Sequence, residues 1–501
     1  MNDCALIPPM HREILFSSDC GESWTVMLED GEAVEAAVER LGIEPSVGNI
    51  YLGLVRRVLP GMQAAFVEVG ADRTVFVHAE DIPFPFADET GKVVSPRPGI
   101  EQILREGQRL AVQITKEALP HKGARASLHL SLPGRLLVFS PTLPQVGVSR
   151  RIEDPAERDR LREAVGAFTQ PGEGFIVRTA GAGASIQDLA AEAERLRRIW
   201  REVARAIGRR EAPALLHREE DLLGRLLRDL PGEGLDAIVV EGEEAFERCR
   251  QWLEKMSPAL AARLQRYSNE RPLLEQRGVR AEIERALRPK IRLPSGGTIV
   301  ITQTEALVAV DVNTSRYVGS KTLEETALNM NLEAAREIVR QIRLRDLGGI
   351  IVIDFIDLEE EASRKKLTDA IGRELARDRS RSRVLEISPF GLVQLTRKRS
   401  RLGLDRMLLE SCPACSGSAR VKSTMTLFYE IRREIARQPK EILAGSLEVK
   451  LHPSVADRIR KCHLELGAGL RRAPRGGLRI EEDPSVPIGR FELVPATGAR
   501  L

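Results

Sequence analysis

No run of apolar residues in this chain approaches the ~20 needed to cross a bilayer, which excludes a transmembrane helix. The stretch from Met1 to Met10 lacks the basic region followed by a continuous apolar segment that a signal peptide requires, so a cytoplasmic address is expected. An excess of one charge is missing too. The 76 Lys and Arg against 73 Asp and Glu leave only +3, so any nucleic-acid footprint has to come from local clustering. Cysteine is sparse: six in 501 residues, with a single Cys-x-x-Cys pair, cannot build a disulfide scaffold.

What is present describes a globular protein, with 42% hydrophobic and 30% charged residues. At about 150 residues per domain the length suggests three or four folding units. The arginines cluster at Arg150-Arg151, Arg197-Arg198, Arg209-Arg210, Arg377 to Arg383, Arg397 to Arg401 and Arg471 to Arg475. Each run taken alone reads first as a solvated face.

From Gly48 to His78 short alternating strands are broken by Pro60-Gly61 and Gly70-Ala71-Asp72, and a further strand follows at Arg109 to Lys116. That is the texture of a small β-barrel. The Pro-rich stretch Ile82 to Gly99 reads as an exposed loop inserted into it. Apolar residues at helical spacing predict helices over Gln187 to Ile207 and Glu219 to Leu230. Between Leu293 and Leu358 the pattern becomes strand (Thr298 to Thr302), turn, strand (Ala306 to Val312), helix from Leu323, and strand (Ile350 to Leu358), an α/β core. Thr322 with Glu325 forms a capping box, and Gly348-Gly349 supplies the stop after Asp346. The block after Cys415 is expected to be too small for a large core of its own and to pack on another element or another copy of the chain.

Two strands carry the chemistry. Leu307-Val308-Ala309-Val310-Asp311-Val312-Asn313 is apolar until two oxygen ligands appear two residues apart, on one face of the strand. Gly349 to Asp357 sets Asp354 inside an apolar run, where an unpaired carboxylate would be expensive. Two such carboxylates on neighbouring strands suit a hard cation such as Mg²⁺, which keeps waters and leaves room for a phosphate. The alternative is that Asp311 and Asn313 cap a turn while Asp354 pairs with an arginine, and spacing alone leaves both open. Asp357, three residues beyond Asp354, points to the other face of a regular strand and is the weaker ligand.

Cys412-Pro413-Ala414-Cys415-Ser416-Gly417 is half of a zinc knuckle, whereas a structural zinc takes four ligands. Cys4, Cys20, Cys249 and Cys462 form no second pair. A second copy of the chain, a redox role or an idle pair all remain open. In the barrel, Phe66 and Phe76 either fill the core or offer stacking surfaces to unpaired bases, with Arg56, Arg57 and Lys122 nearby.

Taken together, Val310-Asp311-Val312-Asn313-Thr314, the helix with Asn329 and Asn331, Asp354-Phe355-Ile356-Asp357 and the Cys-Pro-x-Cys-Ser-Gly string resemble the ribonuclease E and ribonuclease G family. The resemblance runs over nearly the whole chain, including Gly48-Asn49-Ile50-Tyr51, Ala64-Ala65-Phe66 and Gly174-Phe175-Ile176-Val177-Arg178-Thr179-Ala180. It implies an α/β multidomain fold. Residues 1–44 and 224–286 would be two parts of an RNase H-like subdomain, and 45–128 an inserted OB-fold barrel that binds RNA. Residues 129–223 would be a 5′-sensor region, 287–408 a DNase I-like catalytic domain, 409–422 a zinc-link and 423–501 a small C-terminal domain.

By the same resemblance Asp311, Asn313 and Asp354 would be catalytic, with Asp311 and Asp354 as Mg²⁺ ligands, and Phe66, Phe76 and Lys122 would touch RNA. Gly134, Val138, Arg178, Thr179 and Arg381 would sense a 5′-monophosphate. Cys412 and Cys415 would hold a Zn²⁺ shared between two protomers of a homodimer, with larger assemblies open. The expected activity is endoribonucleolytic cleavage of single-stranded, AU-rich RNA in ribosomal RNA maturation and messenger RNA decay. The chain ends at Leu501 without a long Arg- and Pro-rich scaffold for degradosome partners, which favours the short, ribonuclease G type. A non-catalytic RNA-binding or ribosome-assembly factor and a DNA nuclease are the competing classes. Retention of both Asp and the Asn argues against a mere binding module.

Overall fold

Alternating apolar and polar residues open the described chain with β1 (Arg12–Asp19), β2 (Glu22–Glu29) and β3 (Glu32–Arg40). Asp30 (φ 49°) and Gly31 (φ 85°) both take left-handed backbone in the turn between β2 and β3, the pattern that matches strand twist in a two-residue hairpin. The structure, a computed structural model, describes residues 10–19, 21–40, 47–70, 74–83, 99–117, 123–231, 234–304, 306–314, 322–385, 387–388, 391–398, 403–410, 412, 415, 421–461, 466 and 474–496. They fall into two compact units, Met1–Met407 and Leu408–Leu501. Among the described residues no helix is long and apolar enough to cross a membrane.

Within the first unit, β4 (Ile50–Leu59), β5 (Ala64–Glu68), β6 (Thr74–His78), β7 (Arg109–Lys116) and β8 (Arg125–Ser127) form a five-strand barrel. It runs β4-β5-β6-β8-β7 and closes by pairing β7 back on β4. Val55, Ala65, Val67, Val75, Val77, Val112 and Ile114 fill it. Ile82 is also buried in this core, so the exposed loop expected from Ile82 to Gly99 begins after it. Residues 84–98 of that loop lie outside the described residues.

Next come β9 (Leu132–Pro133), β10 (Leu137–Ser140), β11 (Val146–Val148), helix α1 (Pro155–Gly166), β12 (Gly174–Val177) and helix α2 (Ile186–Arg209). Leu189, Ala193, Leu196 and Val203 make the buried stripe of α2. Strand β13 (Ala214–His217) returns to the barrel beside β4, and helix α3 (Leu222–Arg228) covers the first sheet. The chain then re-enters that sheet: β14 (Ala237–Glu241) pairs parallel with β1, and β15 (Leu264–Tyr267) with β14, giving the order β15-β14-β1-β2-β3. The barrel and the four-stranded sheet β11-β12-β10-β9 are thus inserted between β3 and β14.

The remaining strands of the first unit are β16 (Lys290–Arg292), β17 (Thr298–Gln303), β18 (Leu307–Asn313), β19 (Gly349–Asp354), β20 (Ser382–Val384) and β21 (Leu392–Arg397), in the order β16-β17-β18-β19-β21-β20. Helices α4 (Leu323–Leu344) and α5 (Glu361–Leu375) cover one face. Their Ala334, Ile338, Ile342, Leu367 and Ile371 pack against Ile299, Val308, Val310, Ile351, Ile353, Val393 and Leu395. Burying each large aliphatic side chain there is worth about 1.5–3 kcal/mol. The other face carries no helix among the described residues.

Thr322 caps α4 as expected, accepting from the Glu325 amide at 3.1 Å. The stop is not Gly348-Gly349 but Asp346 itself, at φ 49°. The Asp346 amide donates to the Arg343 carbonyl and that of Leu347 to Ile342, a Schellman closure. Asp346 tolerates the left-handed position partly because the buried Arg397 guanidinium holds its carboxylate at 2.5 Å. Strand β19 is likewise shorter than expected, ending at Asp354 instead of Leu358. The side chain of Asn331 takes both backbone groups of Ile356, diverting them from a sheet ladder.

The second unit holds α6 (Thr424–Arg437), β22 (Leu447–Leu451), α7 (Pro453–Lys461), β23 (Leu478–Glu482) and β24 (Glu492–Pro495), with sheet order β23-β22-β24. It has a core of its own, built from Leu427, Ile431, Ile435, Val449, Leu451 and Ile459, contrary to the expectation from its length.

Candidate functional site

Strand alternation decides what the uncovered sheet face shows. On β18, Val308, Val310 and Val312 point into the helices, which leaves Ala309, Asp311 and Asn313 on the open side. On β19 the same rule exposes Ile350 and Asp354. Because β18 and β19 run parallel with Asp311 opposite Asp354, the two carboxylates stand side by side at adjacent strand ends, about 4.8 Å apart at their Cα atoms. Asn313 Nδ2 donates to Asp311 Oδ2 at 2.6 Å. The sequence suggested a carboxylate within an apolar interior; instead all three polar side chains are exposed on that face. They need no buried counter-charge, and neither Asp forms an ion pair among the described residues.

Behind this row, Asn331 is 0% exposed and aims its amide at the segment following Asp354. Its Nδ2 donates to the Ile356 carbonyl at 2.7 Å, and its Oδ1 accepts from the Ile356 amide at 3.0 Å. The segment is thereby locked in a non-strand path. Asp357 lies past the strand and is exposed. Among the described residues no three His, Cys, Asp or Glu side chains form a metal-holding group, so the oxygen donors here are two carboxylates and one amide.

Phe66 and Phe76 face each other across β5 and β6, with ring centroids 5.9 Å apart at 70°, and His78 continues the row 6.5 Å from Phe76. They alternate with Ala65, Val67, Val75 and Val77 of the core, so the rings stand half-buried on the outer wall of the barrel. Arg57, opposite Phe66, is exposed, whereas Arg56 is tied to Glu68 and Arg125 to Asp81. Lys122 lies outside the described residues.

Gly134 and Arg178 meet: Arg178 Nη1 donates to the Gly134 carbonyl at 2.5 Å, and its Nη2 to Asp229 at 2.6 Å. Burial would raise the Asp229 carboxyl, but Arg228 and Arg178 outweigh it and hold the group below its ordinary value. Thr179 shares a hydroxyl contact of 3.0 Å with Ser149. Val138 sits half-buried on β10, paired with Ile176. Arg381 is exposed just before β20 and makes no side-chain hydrogen bond or ion pair among the described residues.

Sequence reasoning missed what holds this pocket. Glu192, 5% exposed, accepts the amides of Arg135 (2.7 Å), Leu136 (2.6 Å) and Leu137 (3.0 Å), and so fixes the turn that presents Gly134. A Cβ at residue 134 would lie 2.7 Å from Glu192 Oε1, so a larger residue there would push on the carboxylate that holds the turn. The signal was legible: Glu192 falls on the apolar stripe of α2, between Leu189 and Leu196, where a charge without backbone partners would be costly. Cys412 is exposed and Cys415 half-buried, both in the second unit.

The family model of the ribonuclease E/G family matches residues 131–400. Ribonuclease G of Salmonella typhimurium (strain SL1344) is 39% identical over 455 residues, covering 90% of this chain and 93% of that protein. Ribonuclease G of Haemophilus influenzae is 39% identical over 447 residues, 89% of this chain and 91% of that protein. Ribonuclease E of Escherichia coli (strain K12) is 37% identical over 431 residues, 85% of this chain but 40% of that longer protein. With an α/β fold, a closed barrel and a likeness that spans nearly its full length, this chain belongs to the ribonuclease E/G family.

Proposed function

We propose that the chain is an endoribonuclease of the ribonuclease G type that hydrolyses phosphodiester bonds in single-stranded RNA at Asp311, Asn313 and Asp354. The observation that carries this reading is the register of Asp311 with Asp354 on an open sheet face, with Asn313 bonded to Asp311. Relatives that match nine-tenths of the chain bear the ribonuclease name. The donor set fits Mg²⁺, a hard cation that takes oxygen ligands: Asp311 and Asp354 would hold it, and the Asn313 amide orients Asp311. When bound, such an ion supplies Lewis acidity toward the phosphodiester and a water of lowered pKa.

The chain's own residues do the rest. Phe66 and Phe76 stack splayed bases on the barrel, which we assign as an OB-fold, and Arg57 steadies the backbone beside them. Single strands are favoured because a duplex hides its bases from such a wall. Gly134, Val138, Arg178, Thr179 and Arg381 receive a 5′-monophosphate, with Glu192 and Asp229 as positioning residues. The sheet of β1 to β3, β14 and β15 is the RNase H-like subdomain, and the sheet of β16 to β21 the DNase I-like one. Cys412 and Cys415 supply half of a Zn²⁺ site completed by a second protomer. AU-rich regions of ribosomal RNA precursors and messenger RNA are the substrates, met in the cytoplasm.

The test is one AU-rich oligoribonucleotide prepared with a 5′-monophosphate or a 5′-triphosphate and incubated with purified protein and Mg²⁺. Wild type cuts the monophosphate form faster, and Asp354→Ala cuts neither. If both proteins leave the RNA intact, the nuclease reading is lost and a binding factor remains.

A further inference from the structure

The open face of the catalytic sheet carries more than its acidic centre. Following the register outward from Asp354, the cross-strand row reads Asp354, Asp311, Val300 and Lys290. The row beside it reads Asn313, Thr298 and Arg292. Lys290 and Arg292 are exposed, while Ile291 between them is buried in the core, so both cations stand on the same face as Asp311 and Asn313. With strands about 4.8 Å apart, Lys290 is roughly 10 Å from Asp311 at the Cα level, and Arg292 about 7 Å further along β16.

Nothing anionic intervenes, because Val300 and Thr298 are neutral. Arg340, Arg343 and Arg397, packed around this sheet, are held by carboxylates. Lys290 and Arg292 have no side-chain hydrogen bond or ion pair among the described residues. Their backbone, by contrast, is anchored. The β16–β17 turn places Gly296 at φ 97°, and Gly297 packs so close to α4 that a Cβ there would clash with Met330 Sδ. The Ser295 amide donates to Glu333 at 3.1 Å.

A strand of RNA brings one negative charge per nucleotide to a spot that already holds two carboxylates. Its approach is unfavourable unless cations flank the acids on the same surface. We propose that Lys290 and Arg292 form a phosphate track that holds the nucleic-acid backbone on the open sheet face next to Asp311 and Asp354. The proposal rests on the nuclease reading of those acids, but it concerns binding and is measurable without cleavage.

The experiment titrates a fluorescent 5′-hydroxyl single-stranded oligoribonucleotide with the full chain, without divalent metal, across a salt series. Each phosphate contact on a single strand contributes about −0.7 to the slope of log K against log salt. Lys290→Ala with Arg292→Ala is therefore expected to flatten the slope by roughly 1.4, and Lys290→Arg with Arg292→Lys to restore it. Lys365→Ala with Lys366→Ala, exposed on α5 over the opposite face, is the control and keeps the wild-type slope. In cleavage assays the double alanine variant raises KM by a larger factor than it lowers kcat. An unchanged slope in a double alanine variant with wild-type circular dichroism overturns the track. Wild-type protein that binds with the expected slope yet never cuts overturns the nuclease reading alone.

Discussion

Replacing Asn331 tests whether the path of the chain after Asp354 is imposed by one side chain. Asn331 is 0% exposed and exchanges two hydrogen bonds with Ile356, at 2.7 and 3.0 Å. In Asn331→Ala both partners vanish and leave an N–H and a C=O without a mate. Each orphaned buried group costs about 1–3 kcal/mol, so two would cost roughly 2–6; Ile356 is half-buried, water restores part of this, and a loss of about 3 kcal/mol is expected. Urea unfolding followed by circular dichroism reads it. With m of about 3 kcal/mol/M, the transition of the first unit moves down by about 1 M. Asn331→Asp keeps an acceptor but sets a buried carboxylate against the Ile356 carbonyl. That damage shrinks as pH falls, because the protonated acid regains a donor while burial holds its pKa above the unfolded value. Activity falls in both variants, as Asp354 loses its support. If Asn331→Ala unfolds within ~0.5 kcal/mol of wild type and cuts RNA at the wild-type rate, the clamp does not set the site.

Three further outcomes are expected. Phe66→Ala and Phe76→Ala each lose one stacking surface worth about 1–3 kcal/mol, a drop in single-strand affinity of roughly 5- to 150-fold; the rings lie outside the core, so thermal melting stays close to wild type, and unchanged affinity refutes the platform. Metal analysis finds about one zinc per two chains, and light scattering shows Cys415→Ser in a smaller assembly; one zinc per chain in a monomer rules out sharing. Burial pushes the Cys249 thiol up to about 12, against the opposing pull of Arg248. Since the unfolded thiol deprotonates near 9.0, the unfolded state binds fewer protons above that pH, and this contribution to stability is full below 9.0 and fades as pH rises toward about 12. Mass spectrometry after iodoacetamide treatment at pH 8.5 should find Cys249 unlabelled until urea unfolds the chain, and prompt labelling contradicts the burial.

The elements that periodicity controls were legible from residues alone. The strand at Arg109–Lys116 and the helix over Gln187 to Ile207 follow from apolar spacing, which is local. The pairing of Asp311 with Asp354 was legible only in outline, because register between β18 and β19 depends on the long helix joining them. Long-range choices were hidden. That β19 stops at Asp354 depends on Asn331, which lies twenty-five residues before its partner Ile356. That α4 stops at Asp346 depends on Arg397, fifty-one residues away. Whether the carboxylates face protein or solvent depends on helices covering one side of the sheet only, which no window of sequence records. Family likeness supplied the functional names, and the fold supplied the rows of side chains that make sense of them.

Placing the barrel and the four-stranded sheet between β3 and β14 also fixes an order of events during synthesis. Arg12 and Asp236, which hydrogen-bond where β1 meets β14, are separated by 224 residues. At about 5–20 residues per second, a ribosome delivers that partner roughly 10–45 s after the first strand emerges. During that interval β1 has an open edge, while the barrel already has every strand it needs to close. The inserted modules are thus complete before the sheet that frames them. A chaperone that shields β1 to β3 should therefore bind nascent chains stalled before residue 237 and release them once β14 has emerged.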